Sequence, residues 1–156
     1  MHPRTEEFAE CAREEYGFDP PAEQFPEGTK TAEDAAAAIG CDVAQIASSI
    51  VFVADGDPVV VVTSGANRVA EGRLAEVVGA DDVRTADPDE VSEATGWSIG
   101  GVPPFCHDGD LPVYVDRTLT GFDRVWAAAG TPDAVFAIDP DELRRYADGE
   151  VVDVAE

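Results

Sequence analysis

The residues that could most readily take part in binding or catalysis lie in the segment GWSIGGVPPFCHDGDL, at positions 96–111. This segment holds glycines, prolines and three aromatic or imidazole rings, and its hydrophobic residues follow no regular period. A long segment of this kind inside a folded domain is more often functional than not. Its Cys106 and His107 could be a thiol nucleophile and its base, but catalytic pairs usually come from separate elements of a fold. We therefore expect Cys106 to be a small buried thiol beside a partly exposed imidazole.

The other short motifs that could carry chemistry are weak. GTKT at residues 28–31 resembles the end of a phosphate-binding loop, but Thr29 separates Gly28 from Lys30 and the earlier glycine of such a loop is missing. The acidic clusters DGD, DPDE and HDGD could bind a divalent cation, yet in so acidic a chain solvated surface is expected. Three widely spaced cysteines and two histidines argue against a disulfide framework and against a zinc site.

Hydrophobic periodicity predicts the elements that must position the 96–111 segment. Two apolar, β-branched runs flank the turn DGD and predict a hairpin, while residues 18–30 hold three prolines and predict a loop or a short edge strand. The chain is thus predicted to be α/β, a curved mixed β-sheet packed by helices, in one domain over residues 1–156. Helices are predicted over residues 4–16 with Thr5 as a candidate N-cap, 31–39, 68–78, 87–95 and 141–147, and strands over 46–54, 58–63, 82–85, 112–116, 124–128 and 134–138.

Composition bounds the class of protein. Ten basic residues against 33 acidic ones give a net charge of −23, Lys30 is the single lysine, and 44% of the residues are hydrophobic. Such a uniformly acidic chain with enough apolar residues for a core predicts a halophilic protein, because about 1 M salt shortens the Debye length to about 3 Å and screens self-repulsion. No apolar run approaches a membrane span, no signal core opens the chain, and the cysteine content suits a reducing cytoplasm.

One ordered set of segments carries a resemblance to a known family. Five segments follow one another between about residues 24 and 148, namely TAEDAAAAIG, QIASSIVF, ADPDEVSEATGWSIGGVPPF, LPVYVDRTL and AAAGTPDAVFAIDPDEL. In this order they closely resemble the YbaK/ProX family of aminoacyl-tRNA deacylase domains, which also occur inserted in prolyl-tRNA synthetases. The most specific part is the pattern TG-xxx-GG-xxP from Thr95 to Pro104, followed by a strand that ends in Asp116.

The resemblance implies a hydrolase that removes a wrong amino acid from the 3′-terminal adenosine of tRNA, with no metal or organic cofactor. An aminoacyl ester is already activated, so water helped by the substrate's neighbouring hydroxyl can attack it. Gly100 and Gly101 would then bind the oxyanion or carbonyl through backbone N–H groups, since no Cβ stands in the way. Four other residues are expected at the site, and Thr95 is one of them. Ser48 would hydrogen-bond the ribose or phosphate, and His107 would stack on the terminal adenine. Asp116 would hold either the loop or the substrate's amino group.

The chain departs from the family pattern at several polar positions. Ser48 stands where the family usually carries a lysine that is linked to catalysis and to holding the tRNA end, and a serine hydroxyl cannot neutralise a phosphate. Ala128, Val135 and Cys106 likewise replace a serine, an acid and a glycine. Three hypotheses therefore stay open: a trans-editing hydrolase, a catalytically degenerate binding module for aminoacyl-adenosine or a partner synthetase, and a small-molecule esterase.

The charge of the chain limits how it could hold tRNA. Nucleic-acid affinity usually comes from several Lys or Arg contacts with phosphates. Nine scattered arginines in a chain of net charge −23 cannot form a broad basic face. Recognition is thus expected to centre on the aminoacylated acceptor end, with local help from Arg68, Arg73 or Arg117.

Overall fold

The β-branched run after residue 45 forms the centre of the sheet in a computed structural model that describes residues 3–24 and 31–156. Two long antiparallel strands, β2 (Ile46–Ala54) and β3 (Asp57–Ser64), are joined by a two-residue turn. Asp55 and Gly56 of this turn both have positive φ, the geometry that an Asp-Gly hairpin turn favours. The predicted hairpin is therefore confirmed.

Shorter strands extend this hairpin into a mixed sheet, as predicted. Within the described residues its order is β1-β7-β6-β2-β3-β5-β8, and β4 also pairs with β2. The pairs β2–β6, β3–β5 and β5–β8 are parallel, whereas the remaining pairs are antiparallel. The strands beyond the hairpin are β1 (Ala22–Gln24), β4 (Val83–Thr85), β5 (Val113–Asp116), β6 (Val125–Ala128), β7 (Ala134–Ile138) and β8 (Glu150–Val152).

Side-chain caps and glycines set the ends of most helices. Thr31 and Asp87 accept hydrogen bonds from backbone N–H groups three residues later, and Gly40, Gly79 and Gly96 end their helices in the left-handed conformation. The helices predicted over residues 31–39 and 87–95 are therefore confirmed. The five α-helices of the described residues are α1 (Pro3–Tyr16), α2 (Ala32–Ile39), α3 (Glu71–Val78), α4 (Pro88–Thr95) and α5 (Pro140–Ala147).

Helix α1 packs on the glycine-rich segment through an aromatic cluster. The buried ring of Phe8 lies 5.5 Å from that of Phe105 and 4.9 Å from that of Phe136, measured between centroids, and meets Trp97 edge-on. Arg4 places its guanidinium 4.2 Å from the centre of the Trp97 ring. Because aromatic pairs bury large areas and prefer specific geometries, this cluster fixes both α1 and the segment beneath it.

A disulfide joins Cys11 of α1 to Cys106 of the glycine-rich segment, so the prediction that Cys106 is a free, buried thiol was wrong. Three cysteines can form one bridge and leave one free thiol, here Cys41. The aromatic cluster brings the two residues together from positions 95 apart in sequence, a proximity that spacing along the chain does not reveal.

Other departures from the predicted elements are small. Thr5 lies inside α1 and is fully buried, so it is not an N-cap; α3 begins at Glu71 rather than at residue 68; and β8 has no predicted counterpart. Most of the GTKT motif, including Lys30, lies outside the described residues. None of the helices in the described residues has the length and apolar character that a membrane span requires.

Candidate active site

The sheet opens beside β2, and this gap is the origin of the candidate site. On that side β6 pairs with Ile46 and Ala47, whereas β4 pairs with Phe52 to Ala54. Between these two ladders, residues 48–51 have no strand partner on that side within the described part of the chain. The carbonyl of Val51 accepts from the N–H of Ala86 at 3.0 Å, which closes one end of the gap.

The direction of the backbone groups in the gap follows from the pairing of β2. The carbonyl of Ile46 accepts from Gly65 at the end of β3, whereas that of Val51 accepts from Ala86 on the opposite side. Because backbone groups of successive strand residues alternate between the two neighbouring strands, odd-numbered residues of β2 direct their N–H and C=O away from β3. The backbone groups of Ser49 therefore face the gap.

A cavity of about 400 Å³ lies at this gap, between β2, the glycine-rich segment and β7. Its wall is mostly apolar, and among the described residues that line it none is charged and none is a cysteine or a histidine. Half-buried Trp126 and exposed Ile99 belong to this wall. Within the described residues, the wall therefore offers hydroxyl and backbone groups, but no cysteine thiol that could act as a nucleophile and no side chain that could act as a general base.

Two of the residues predicted for the site, Ser48 and Gly100, both line this cavity. Ser48 lies on β2 opposite Thr63 of β3. Gly100 is exposed with φ of +86°, and a Cβ there would lie 3.4 Å from Cγ of Pro132. A left-handed conformation at the cavity wall suits glycine because other L residues are strained there.

Gly101 has a different role from the one predicted, since its N–H already donates to the carbonyl of Ser98 at 2.9 Å. That amide is therefore committed within the loop. A Cβ at residue 101 would lie 2.8 Å from Cα of Thr131, closer than such atoms approach. Glycine is needed here so that the loop can pack against the turn at Thr131 and Pro132.

Thr95 and Asp116 lie outside the cavity wall and hold the fold together instead. The hydroxyl of buried Thr95 donates to the carbonyl of Val91 and accepts from the N–H of Trp97. These two bonds stabilise the C-terminal end of α4. The carboxylate of Asp116 accepts from the side chains of Thr63 and Asn67 and from the backbone N–H groups of Ser64 and Thr118. Of the two roles expected for Asp116, these bonds fit the structural one, in which it holds a loop, and neither Thr95 nor Asp116 is among the described residues that line the cavity.

The hydrogen bonds of Asp116 also set its charge state. Burial alone raises the pKa of this carboxyl, but the bonds from Asn67, Ser64, Thr118 and Thr63 outweigh burial and leave the pKa below its ordinary value. The residue is thus an ionised anchor that joins the end of β3 to the end of β5.

His107 lies in a second depression, with Cys106 and Tyr146, and not on the wall of the cavity. Its Nε2–H donates to the carbonyl of Pro103 at 2.8 Å. Burial lowers the pKa of this imidazole, and the hydrogen bond to Pro103 offsets only part of the shift. The prediction that His107 stacks on the terminal adenine is therefore not supported by its position, and among the described residues it is Trp126 that brings an aromatic ring to the cavity.

Sequence reasoning missed Ser49, Ile99 and Trp126 as wall residues. Ser49 follows Ser48 in an apolar strand, and a polar residue at a core-facing strand position is a usable signal. Ile99 and Trp126 carried no such signal, because an isolated apolar residue is more often part of a core.

Comparison with known proteins gives one consistent result. A profile of the aminoacyl-tRNA editing domain family matches residues 26–146. The uncharacterized protein YwhH of Bacillus subtilis is 31% identical over 128 residues, which is 82% of each chain. Proline–tRNA ligase of Lactobacillus gasseri is 34% identical over 106 residues, and this match covers 68% of the present chain but only 19% of the ligase. The crystal structure of a candidate trans-editing enzyme for prolyl-tRNA synthetase superposes with a TM-score of 0.95 at 38% identity, covering 100% of this chain and 99% of the other.

Proposed function

Because this chain belongs to the family of aminoacyl-tRNA editing domains, we propose that it hydrolyses the ester of a mischarged aminoacyl-tRNA and acts in trans. The observation that carries the proposal is the uncharged cavity in the sheet gap, which holds Ser48 and Gly100 together. A cavity of this type suits a small activated ester, since the chemistry then requires placement of the substrate more than a strong protein base.

In the proposed reaction, a water molecule attacks the carbonyl carbon of the aminoacyl ester. The neighbouring ribose hydroxyl of the substrate relays a proton, accepting one from this water as it donates its own to the ribose oxygen of the ester, because the described wall residues include no carboxylate or imidazole. The tetrahedral oxyanion then collapses, the bond between the carbonyl carbon and the ribose oxygen breaks, and that oxygen takes up the proton. The products are the free amino acid and uncharged tRNA.

Backbone and hydroxyl groups would stabilise this reaction. The N–H of Gly100 is the remaining amide of the double glycine for the oxyanion, since that of Gly101 is bonded to Ser98. The hydroxyl of Ser48 would orient the ribose or the attacking water. Trp126 offers a ring on which the terminal adenine can stack, as single-stranded RNA bases commonly do on aromatic side chains.

Binding of the tRNA body contributes little in this proposal. The net charge of −23 repels the phosphate backbone. Arg84, next to the wall residue Thr85, donates to both carboxylate oxygens of Glu90 at 2.7 Å, and this pairing lowers the pKa of Glu90 to about 2. That guanidinium is therefore occupied, and recognition would centre on the aminoacylated adenosine.

The second candidate function is a binding module without turnover, and Ser48 is the observation that favours it. The family resemblance places a lysine at this position, and a serine removes its positive charge. A module of this kind would bind aminoacyl-adenosine or a synthetase and release no amino acid.

The experiment that separates the candidates measures release of free amino acid from a panel of mischarged tRNAs at about 3 M potassium chloride, where self-repulsion is screened. Hydrolysis of at least one mischarged tRNA, above its spontaneous rate, supports the editing hydrolase. Binding without release supports the module, while faster hydrolysis of simple aminoacyl esters than of charged tRNA supports a small-molecule esterase.

A further inference from the structure

One wall of the cavity belongs to a loop that is closed at its base. The indole N–H of Trp97 donates to the carbonyl of Cys106 at 2.9 Å, so the two ends of this stretch, the wall loop, lie together. Three residues between these ends line the cavity, namely Ile99, Gly100 and Val102. The position of this wall therefore depends on what holds the base of the wall loop.

Helix α1 contacts both ends of that base. The ring of Phe8 meets the ring of Trp97 edge-on, with 6.3 Å between the centroids, and Cys11 forms the disulfide with Cys106. The contact with Trp97 is noncovalent, whereas the disulfide is a bond that a thiol reductant can open. One end of the wall loop is thus held by packing and the other by a bond that depends on the redox state.

The backbone of Cys106 gives this bond a second effect. Its φ of +66° lies in the left-handed region, where residues other than glycine are strained. Such a conformation persists only where the surrounding structure imposes it. The bridge to Cys11 and the hydrogen bond from Trp97 are two such restraints, so reduction removes the covalent one and favours relaxation of the loop base.

The noncovalent docking of α1 has costs as well as gains. Phe8 and Ala12 are its buried apolar side chains, and Arg4 lies over the ring of Trp97. Against these contacts, the buried hydroxyl of Thr5 has no hydrogen-bond partner within the described residues. The helix also carries five exposed glutamates in a chain of net charge −23, so electrostatic repulsion opposes docking. The disulfide offsets these costs while it is intact.

We propose that the pair Cys11 and Cys106 is a redox switch for the cavity, an inference that rests on the proposed editing function. In the disulfide form, α1 holds the base of the wall loop and Gly100 stays in place, so the aminoacylated adenosine binds tightly. In the dithiol form the base is released and binding weakens. The coupling is reciprocal, so a ligand that favours the disulfide form also makes the bond harder to reduce.

A dithiol is the class of reductant that operates the switch, and a surface depression gives access to the bond. This depression, of about 340 Å³, includes Cys106, His107 and Tyr146 in its lining. A thiolate of the reductant attacks Sγ of Cys106, which forms a mixed disulfide and releases Cys11 as a thiolate that takes up a proton. The second thiolate of the reductant then displaces Cys106, which is also protonated. The protein gains two electrons and two protons, and the reductant becomes a cyclic disulfide.

The first test compares backbone hydrogen exchange in the disulfide form and the dithiothreitol-reduced form of the full chain, at about 3 M potassium chloride to screen self-repulsion. The amides of Gly101 and Asp108 bond to the carbonyls of Ser98 and Thr95, and both should exchange about tenfold faster after reduction. The amides that join β2 to β3 should keep their protection, because reduction loosens the wall loop and not the sheet. Unchanged exchange in the loop, or lost protection throughout the sheet, would overturn the proposal.

The second test measures affinity by calorimetric titration under the same conditions. The probes are amide-linked 3′-aminoacylamino-3′-deoxyadenosines that carry alanine, serine or valine and cannot be hydrolysed at the ester position. We expect the disulfide form to bind its best probe about tenfold more tightly than the reduced form, within the usual range of coupling between sites. Cys11→Ser should bind as the reduced parent does, with or without reductant. Cys41→Ser is the matched control, since Cys41 is a free thiol, and it should respond to reduction as the parent does.

The reciprocal measurement follows reduction of the pair in mixtures of reduced and oxidised dithiothreitol. A saturating probe should raise the ratio of reduced to oxidised dithiothreitol at half-reduction by about tenfold. An unchanged ratio, equal affinities of the two forms, or no binding of any probe by the disulfide form would overturn the proposal. If the affinities differ but neither form releases amino acid from tRNA, the editing hydrolase fails while the switch stands. If both forms release amino acid at the same rate, the hydrolase stands and the switch fails.

Discussion

At the scale of single residues, Ser48 decides how much of the chemistry depends on a side chain. Ser48 lines the cavity together with Gly100, and one neutral hydrogen bond from its hydroxyl is typically worth about 0.5–1.5 kcal/mol. Ser48→Ala is therefore expected to lower the rate of amino-acid release by about tenfold at most. A loss of more than about a hundredfold in single-turnover assays would show that Ser48 does more than hydrogen-bond the substrate.

The reverse change, Ser48→Lys, introduces a cation at the cavity wall. A lysine there can pair with the terminal phosphate, so it should raise activity at moderate salt. The gain should shrink at high potassium chloride because screening weakens the pair. Rates measured at several salt concentrations test this, and a gain that does not depend on salt would contradict the phosphate contact.

Gly101 is a residue whose substitution tests packing rather than catalysis. A Cβ there would lie 2.8 Å from the backbone of Thr131, so Gly101→Ala should lower the free energy of unfolding by about 1–3 kcal/mol, the usual range for overpacking. Gly72→Ala is the control, because a Cβ at this position in α3 meets nothing within 4 Å. It should leave stability unchanged or raise it by up to about 1 kcal/mol. Chemical denaturation of both variants checks the prediction, and equal stabilities would contradict it.

At the scale of elements, the disulfide between α1 and the glycine-rich segment is the feature with the largest expected effect. It closes a loop with a sequence separation of 95 residues, and loops of about 100 residues are expected to contribute about 4–5 kcal/mol through the unfolded state. Reduction should therefore lower the unfolding midpoint clearly, as should Cys11→Ser. Cys41→Ser is the control, since Cys41 is a free thiol. An unfolding midpoint that is the same with and without reductant would show that the bridge contributes nothing.

The elements themselves were largely predictable, and the reason is local. The Asp55-Gly56 turn, the cap Asp87 and the stop glycines act within a few residues, so their effect is readable from the sequence. The sheet gap was not readable, because it depends on β6 and β4 pairing with different parts of β2. For the same reason, only Ser48 and Gly100 of the residues expected at the site line the cavity, whereas Thr95, His107 and Asp116 do not.

At the scale of the whole molecule, the charge predicts dependence on salt. Ten basic residues cannot pair with 33 acidic ones, so most carboxylates repel one another when screening is weak. The unfolding midpoint should therefore fall as potassium chloride is reduced from about 3 M to about 0.1 M. Sucrose at matched water activity is the control for effects not due to charge. A midpoint that stays constant or rises on dilution would contradict the halophilic prediction.

The predicted environment of the protein and its disulfide do not agree in an obvious way. Uniform acidity suits a concentrated salt solution, and the cysteine content led to the prediction of a reducing cytoplasm. Disulfides are rare in such compartments, and Cys11 and Cys106 are joined in the structure. The stability of the whole molecule is therefore expected to depend on whether its surroundings keep this pair of cysteines oxidised.

The measurement that tests the central claim most directly is release of free amino acid from mischarged tRNA by the purified chain at about 3 M potassium chloride, where the acidic protein is screened. Correctly charged tRNA of the same species and the no-protein reaction are the controls. The account predicts release from at least one mischarged tRNA at a rate that rises in proportion to protein concentration, with the correctly charged tRNA largely spared. Release no faster than the spontaneous reaction across the whole panel, from protein shown to be folded, would contradict it.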